Sequence, residues 1–139
     1  MAAAPTSPAF RPAILIVDDD DAIRGILRDL LEDEGYIVRL AATHEEAFAA
    51  LSDERFALVL TDTAGQVRAA DDPAHWRQLG RVRDAAGDTP TIICSAHGRA
   101  IFADYAAHGF AGLITKPFDL DAIAITVRET LAPTCAACS

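Results

Sequence analysis

Asp18 and Asp19 follow the run Ile14-Leu15-Ile16-Val17, Asp62 follows Leu58-Val59-Leu60-Thr61, and Lys116-Pro117 follows Leu113-Ile114-Thr115. Each charged residue stands where a short apolar run ends. Such a run, bounded by polar residues, reads as a strand buried on both faces. In an open parallel sheet, ligands sit in the crevice beyond the carboxyl ends of the strands. Three carboxylates meet there if the first and third runs are neighbours. Close carboxylates repel and raise one another's pKa, and a divalent cation removes that cost. Hard oxygen donors suit Mg²⁺, which keeps several waters and binds through one or two carboxylates plus phosphate. Lys116 adds a compact positive charge able to hold phosphoryl oxygens. Ser95, at the end of Thr91-Ile92-Ile93-Cys94, adds a hydroxyl donor, and the backbone N–H of Ala96 adds another. A carboxylate can itself be the nucleophile in phosphoryl transfer, forming an aspartyl phosphate. Positioning and charge neutralisation then carry most of the catalysis. Asp62 stands alone on its run and is the candidate nucleophile; the pair Asp18-Asp19 suits cation binding.

The elements that must deliver these residues alternate along the chain. Strands are predicted over 14–17, 36–40, 56–61, 91–95 and 110–115. Between them, apolar residues recur at helical spacing. Ile23, Ile26, Leu27, Leu30 and Leu31 form one face, with Asp20 or Asp21 as cap and Gly35 as stop. Thr43-His44-Glu45-Glu46 is a capping box ahead of Ala47, Phe48, Ala50 and Leu51. After a long loop over 63–71, Asp72-Pro73 begins a helix with Trp76, Leu79, Val82 and Ala86 facing in, ended by Gly87. A fourth helix runs through Ile101, Phe102, Tyr105 and Ala106 to Gly109. A fifth covers 120–131, with Leu120, Ile123, Ala124, Val127 and Leu131 inward. Five strands alternating with five helices predict an α/β domain whose parallel sheet is covered on both faces.

Size and charge narrow the classes. The 139 residues suit one domain, and 51% hydrophobic residues can fill its core. A net charge of −9 argues against binding a phosphate backbone. No apolar run approaches a membrane span. The start over 1–12 is rich in Ala, Pro and Ser, lacks the marks of a signal peptide, and is read as a loose tail. Residues 13–132 are read as the domain and 133–139 as a small C-terminal tail. Three cysteines make no disulfide framework, so a reducing cytoplasm is the expected compartment.

Val17-Asp18-Asp19, Leu60-Thr61-Asp62, Cys94-Ser95-Ala96 and Thr115-Lys116-Pro117-Phe118, in this order and spacing, resemble the receiver domain of bacterial two-component response regulators. The resemblance covers about residues 13–132. It implies the CheY-like, flavodoxin-like fold with strand order 2-1-3-4-5. It further implies that a sensor histidine kinase or phosphotransfer protein phosphorylates Asp62 within a phosphorelay. Mg²⁺ is then held by Asp19, Asp62 and the backbone carbonyl of Ala64, with Asp18 nearby, often through water. Ser95 and Lys116 contact the phosphoryl group, and Lys116-Pro117 is expected to be a cis peptide. Phosphorylation repacks the surface of the fourth helix, fifth strand and fifth helix, through which homodimerisation is also expected. No nucleic-acid or membrane contact is expected of the domain.

The chain departs from the family pattern in three places. Thr63-Ala64-Gly65-Gln66-Val67 replaces the usual Met-Pro-Gly type turn, and Ser95 follows Asp62 by 33 positions, a few more than usual. Leu113 occupies the place, three before the lysine, where an aromatic residue usually couples to the hydroxyl during activation. Ala64 and His97 occupy the two positions that tune phosphoryl lifetime, and Ala64 cannot orient a water by its side chain. Slow self-dephosphorylation is the expectation, unless His97 assists.

Plainer readings stand beside these. Asp20 and Asp21 suit the positive end of a helix dipole, and Ser95 can cap the following helix. Cys135-Ala136-Ala137-Cys138 offers two thiols without further ligands, an incomplete zinc site. Cys94 reads as a buried apolar residue, and Trp76 and Tyr105 as core or interface. His44, His75 and His108 show no metal-ligand spacing. Two other functions are open. A haloacid-dehalogenase-like phosphatase also combines an acidic motif, Ser/Thr and Lys, but leaves Asp62 without a role. A pseudo-receiver would bind partners without taking phosphate.

Overall fold

The computed structural model describes residues 12–62, 73–95, 104–115 and 119–138. Strands β1 (Ala13–Val17), β2 (Ile37–Ala41), β3 (Leu58–Thr61), β4 (Thr91–Ser95) and β5 (Gly112–Thr115) form one sheet. All neighbouring pairs are parallel and the order is β2-β1-β3-β4-β5. This is the 2-1-3-4-5 order that the resemblance implies.

Alternation along the strands sorts side chains to two cores. On one face Ile14, Ile16, Leu58, Leu60, Ile92, Cys94 and Ile114 pack with Leu27 and Leu31 of α1 (Asp21–Asp33) and Ile123 and Val127 of α4 (Leu120–Cys138). On the other, Leu15, Val17 and Val59 meet Ala47 and Ala50 of α2 (His44–Asp53) and Val82 of α3 (Pro73–Ala86). Leu79 and Phe110 close that layer over Ile93. Both faces are therefore covered, which is why the strands read as continuous apolar runs.

Local chemistry sets the helix ends. Asp20 caps α1, its Oδ1 accepting from the N–H groups of Ala22 at 2.8 Å and Ile23 at 3.2 Å. Gly35, at φ 97°, takes the left-handed turn out of the helix. Thr43 caps α2 by accepting from Glu46 N–H at 3.1 Å, while Glu46 Oε1 accepts from Ala42 N–H at 2.7 Å. The reciprocal bond thus reaches one residue beyond the usual capping box.

Several elements differ from the sequence expectation. Ile26 and Leu120, placed inward by their spacing, are exposed. The inward stripe of α1 narrows to Leu27 and Leu31, with Ile23 and Leu30 partly buried at its margin. Where a fourth α-helix was expected, the described part is a 3-10 turn, Tyr105–His108, closed by Gly109 at φ 88°. Four α-helices and this turn are present among the described residues. Helix α4 continues past Leu131 to Cys138. The expectations for the loop over 63–71, for Ile101 and Phe102, and for the N-terminal tail up to residue 11 lie outside the described residues. So do those for the side chains of Trp76, Cys135 and Cys138.

Candidate functional site

The parallel register brings three strand ends to one edge. Val17 is level with Ala41 on one side and Thr61 on the other. The ladder runs one step further on both sides: Asp18 N–H donates to the Ala41 carbonyl at 3.1 Å, and Asp62 N–H to the Val17 carbonyl at 2.8 Å. Asp18 and Asp62 are thereby pinned by their backbones beside each other, both buried. Asp19 follows in the turn and is exposed.

Carboxylate oxygens of Asp18, Asp19 and Asp62 all lie within 4.8 Å of one another. The Asp19 backbone N–H lies 3.3 Å from Asp62 Oδ2, and Asp18 Oδ1 accepts from Asp20 N–H at 3.0 Å. The negative charge of Asp62, foremost, then burial and Asp18, hold the Asp19 carboxyl above its ordinary range. The cluster is a set of hard oxygen donors under mutual repulsion, which a small divalent cation relieves.

Ser95 ends β4 and is buried; its register partner is Thr115, the residue before Lys116. Lys116, Pro117, Ala64, Ala96 and His97 lie outside the described residues. Leu113, on β5, is half-buried and packs against the cluster of Leu79, Ile93 and Phe110.

Two residues at this edge escaped the sequence reading. Arg24 donates to the Asp18 carbonyl at 2.7 Å and pairs with Asp21, which sets a positive charge at the back of the acidic turn. Its spacing from Asp21 is that of a helical ion pair, a signal present in the sequence. His44 is buried at the start of α2. Its Nε2 lies 3.4 Å from the Asp62 carbonyl oxygen and 3.7 Å from Asp62 Oδ1. Its only sequence signal was a polar ring directly after a helix cap, which does not reveal what the ring faces.

Comparison with known proteins points the same way as the geometry. Residues 14–128 match the family model for the response regulator receiver domain. An uncharacterized 14.6 kDa protein of Leptolyngbya boryana is 37% identical over 123 residues, covering 86% of this chain and 90% of that protein. The nitrogen assimilation regulatory protein NtrX of Azorhizobium caulinodans is 31% identical over 119 residues, covering 85% of this chain. The chain spans only 26% of that longer regulator. Among solved structures, the receiver domain of NtrX from Brucella abortus superposes with a TM-score of 0.72 at 28% identity, covering 86% of this chain and 98% of that one. Vibrio cholerae CheY4 superposes with a TM-score of 0.72 at 26% identity, covering 87% and 99%.

Proposed function

Because the chain belongs to the response regulator receiver family, we propose that it accepts a phosphoryl group on Asp62 and thereby switches its affinity for a protein partner. Receiver domains are signalling domains that exchange phosphoryl groups with histidine kinases or phosphotransfer proteins. The observation that carries the assignment to Asp62 is its place: a buried carboxylate at a strand end, inside a cluster of three acids spanning 4.8 Å.

In the proposed reaction a carboxylate oxygen of Asp62 attacks the phosphorus of a phosphohistidine. A C–O–P linkage forms, the N–P bond breaks, and its electron pair stays on the donor's imidazole, which takes up a proton. Receiver domains bind Mg²⁺ through an acidic cluster of this kind. Here Asp19, Asp62 and the Ala64 carbonyl would hold it, with Asp18 alongside, and the ion would offset the charge of the entering phosphoryl group. Ser95 and Lys116 are assigned to the phosphoryl oxygens, the first as a hydroxyl donor and the second as a point charge. The reaction is catalysed by the domain's own residues and changes the domain itself. Ala64 and His97 are assigned to phosphoryl lifetime, with slow loss in the absence of help from His97.

The partner would be a sensor histidine kinase or phosphotransfer protein, met in the cytoplasm. Output is assigned to the face of the 3-10 turn, β5 and α4, where homodimerisation is also placed. No described helix is long and apolar enough to cross a membrane. The domain is taken to extend over 13–132.

Beryllofluoride mimics the aspartyl phosphate and gives the direct test. With Mg²⁺ it should shift amide resonances around Asp62, Ser95 and Thr115, and Asp62→Asn should abolish the shifts. No binding by the wild type would favour a pseudo-receiver. Steady turnover of a phosphomonoester would favour the dehalogenase-like phosphatase.

A further inference from the structure

We propose that His44 is a positioning residue for phosphoryl acceptance, holding the backbone and carboxylate of Asp62 from the interior; the inference rests on Asp62 being the acceptor. His44 Nε2 faces three oxygens of two consecutive residues. They are the Asp62 carbonyl at 3.4 Å, Thr61 Oγ1 at 3.4 Å and Asp62 Oδ1 at 3.7 Å. The carbonyl and the carboxylate only accept. The Thr61 hydroxyl spends its hydrogen on the Asp62 carbonyl, at 3.0 Å, so its oxygen is an acceptor as well. Three acceptors around one ring nitrogen favour the tautomer with its hydrogen on Nε2. Each contact is long for a hydrogen bond. Their shared direction is what matters, since one N–H draws both the backbone and the side chain of Asp62 toward the same point.

The ring is itself fixed. It sits on the first residue of α2, whose cap is tied by Thr43 and Glu46. The Phe48 ring, one turn on, meets it edge-on with centroids 6.5 Å apart and planes at 62°. The guanidinium of Arg81, on α3, lies over the Phe48 ring, 5.3 Å from its centroid. A chain of contacts thus runs from α3 through α2 to Asp62. The carboxylate of Asp62 has a polar neighbour at each oxygen, the Asp19 N–H at 3.3 Å from Oδ2 and the His44 ring at 3.7 Å from Oδ1. A nucleophile presented in one rotamer reacts faster than one that must be oriented at each encounter.

The test compares formation of aspartyl phosphate from acetyl phosphate with saturating Mg²⁺ in the full chain. The variants are His44→Phe, which keeps a ring against Phe48 without a donor, and His44→Gln, which restores an N–H near the Nε2 position. His44→Phe should react about tenfold more slowly, and His44→Gln should return to within about threefold of wild type. A His44→Phe protein reacting at the wild-type rate overturns the proposal, and so does a His44→Gln protein as slow as His44→Phe. Nitrogen NMR of the imidazole gives a readout that needs no phosphorylation: hydrogen on Nε2 supports the contact, and a bare Nε2 overturns it. A wild-type chain that never takes the group overturns the acceptor assignment itself, which the ring signature leaves untouched.

Discussion

Asp19→Asn should stabilise the protein without metal and cost it the response to metal. The three carboxylates lie within 4.8 Å of one another, and the charge of Asp62 is the chief cause of the raised Asp19 carboxyl. Two unit charges 4 Å apart repel by about 1 kcal/mol in water and by about 4 kcal/mol at an effective dielectric of 20. Asp19 is exposed, so the screened end of that range applies, about 1 kcal/mol. An Asn amide can also donate to the Asp62 carboxylate. In EDTA the variant should therefore melt ~3–5 °C above wild type. Added Mg²⁺ at ten times its dissociation constant should stabilise wild type by about 1.4 kcal/mol and the variant by little.

The pH dependence has a definite sign. A carboxyl raised in the folded state penalises folding fully above its folded pKa. That penalty is relieved as pH falls through the folded value toward the ordinary one. The gap between the variant and wild type should accordingly narrow on going from neutral pH into the acid range. Thermal melts with EDTA or Mg²⁺ at several pH values measure all three effects. An Asp19→Asn protein that melts lower in EDTA, or that gains as much from Mg²⁺ as wild type, refutes the reasoning.

Other perturbations follow from the packing. Leu27→Ala removes a side chain buried against Ile14 and Ile16 and should cost about 2–5 kcal/mol in urea unfolding. Thr43→Ala deletes the cap of α2 and should cost about 1 kcal/mol; since that cap seats His44, acetyl phosphate labelling should slow as well. Gly109→Ala should destabilise by about 1–2 kcal/mol, because φ is 88° and the new methyl would meet Arg83 Cδ at 2.9 Å, which thermal melting can verify.

The sheet was legible because its strands are buried on both faces, so β1, β3 and β4 appear as unbroken apolar runs with polar ends. Those ends, once the strands are parallel and the first and third are neighbours, place Asp18 and Asp62 together. Residues whose fate depends on tertiary contact were not legible. Ile26 and Leu120 have the spacing of core residues, yet both stay exposed. Tyr105 and Ala106 have helical spacing, while the described segment there makes only a 3-10 turn. The approach of His44 to Thr61 and Asp62 depends on where α2 begins relative to the end of β3, a juxtaposition that no local pattern encodes.

Peptide mapping after acetyl phosphate treatment with Mg²⁺ tests the central claim most directly. A single phosphoryl group should be found on Asp62, as a base-labile acyl phosphate, and none should be found on Asp62→Asn. A label retained by Asp62→Asn, or mapped to a different residue of the wild type, would contradict the account.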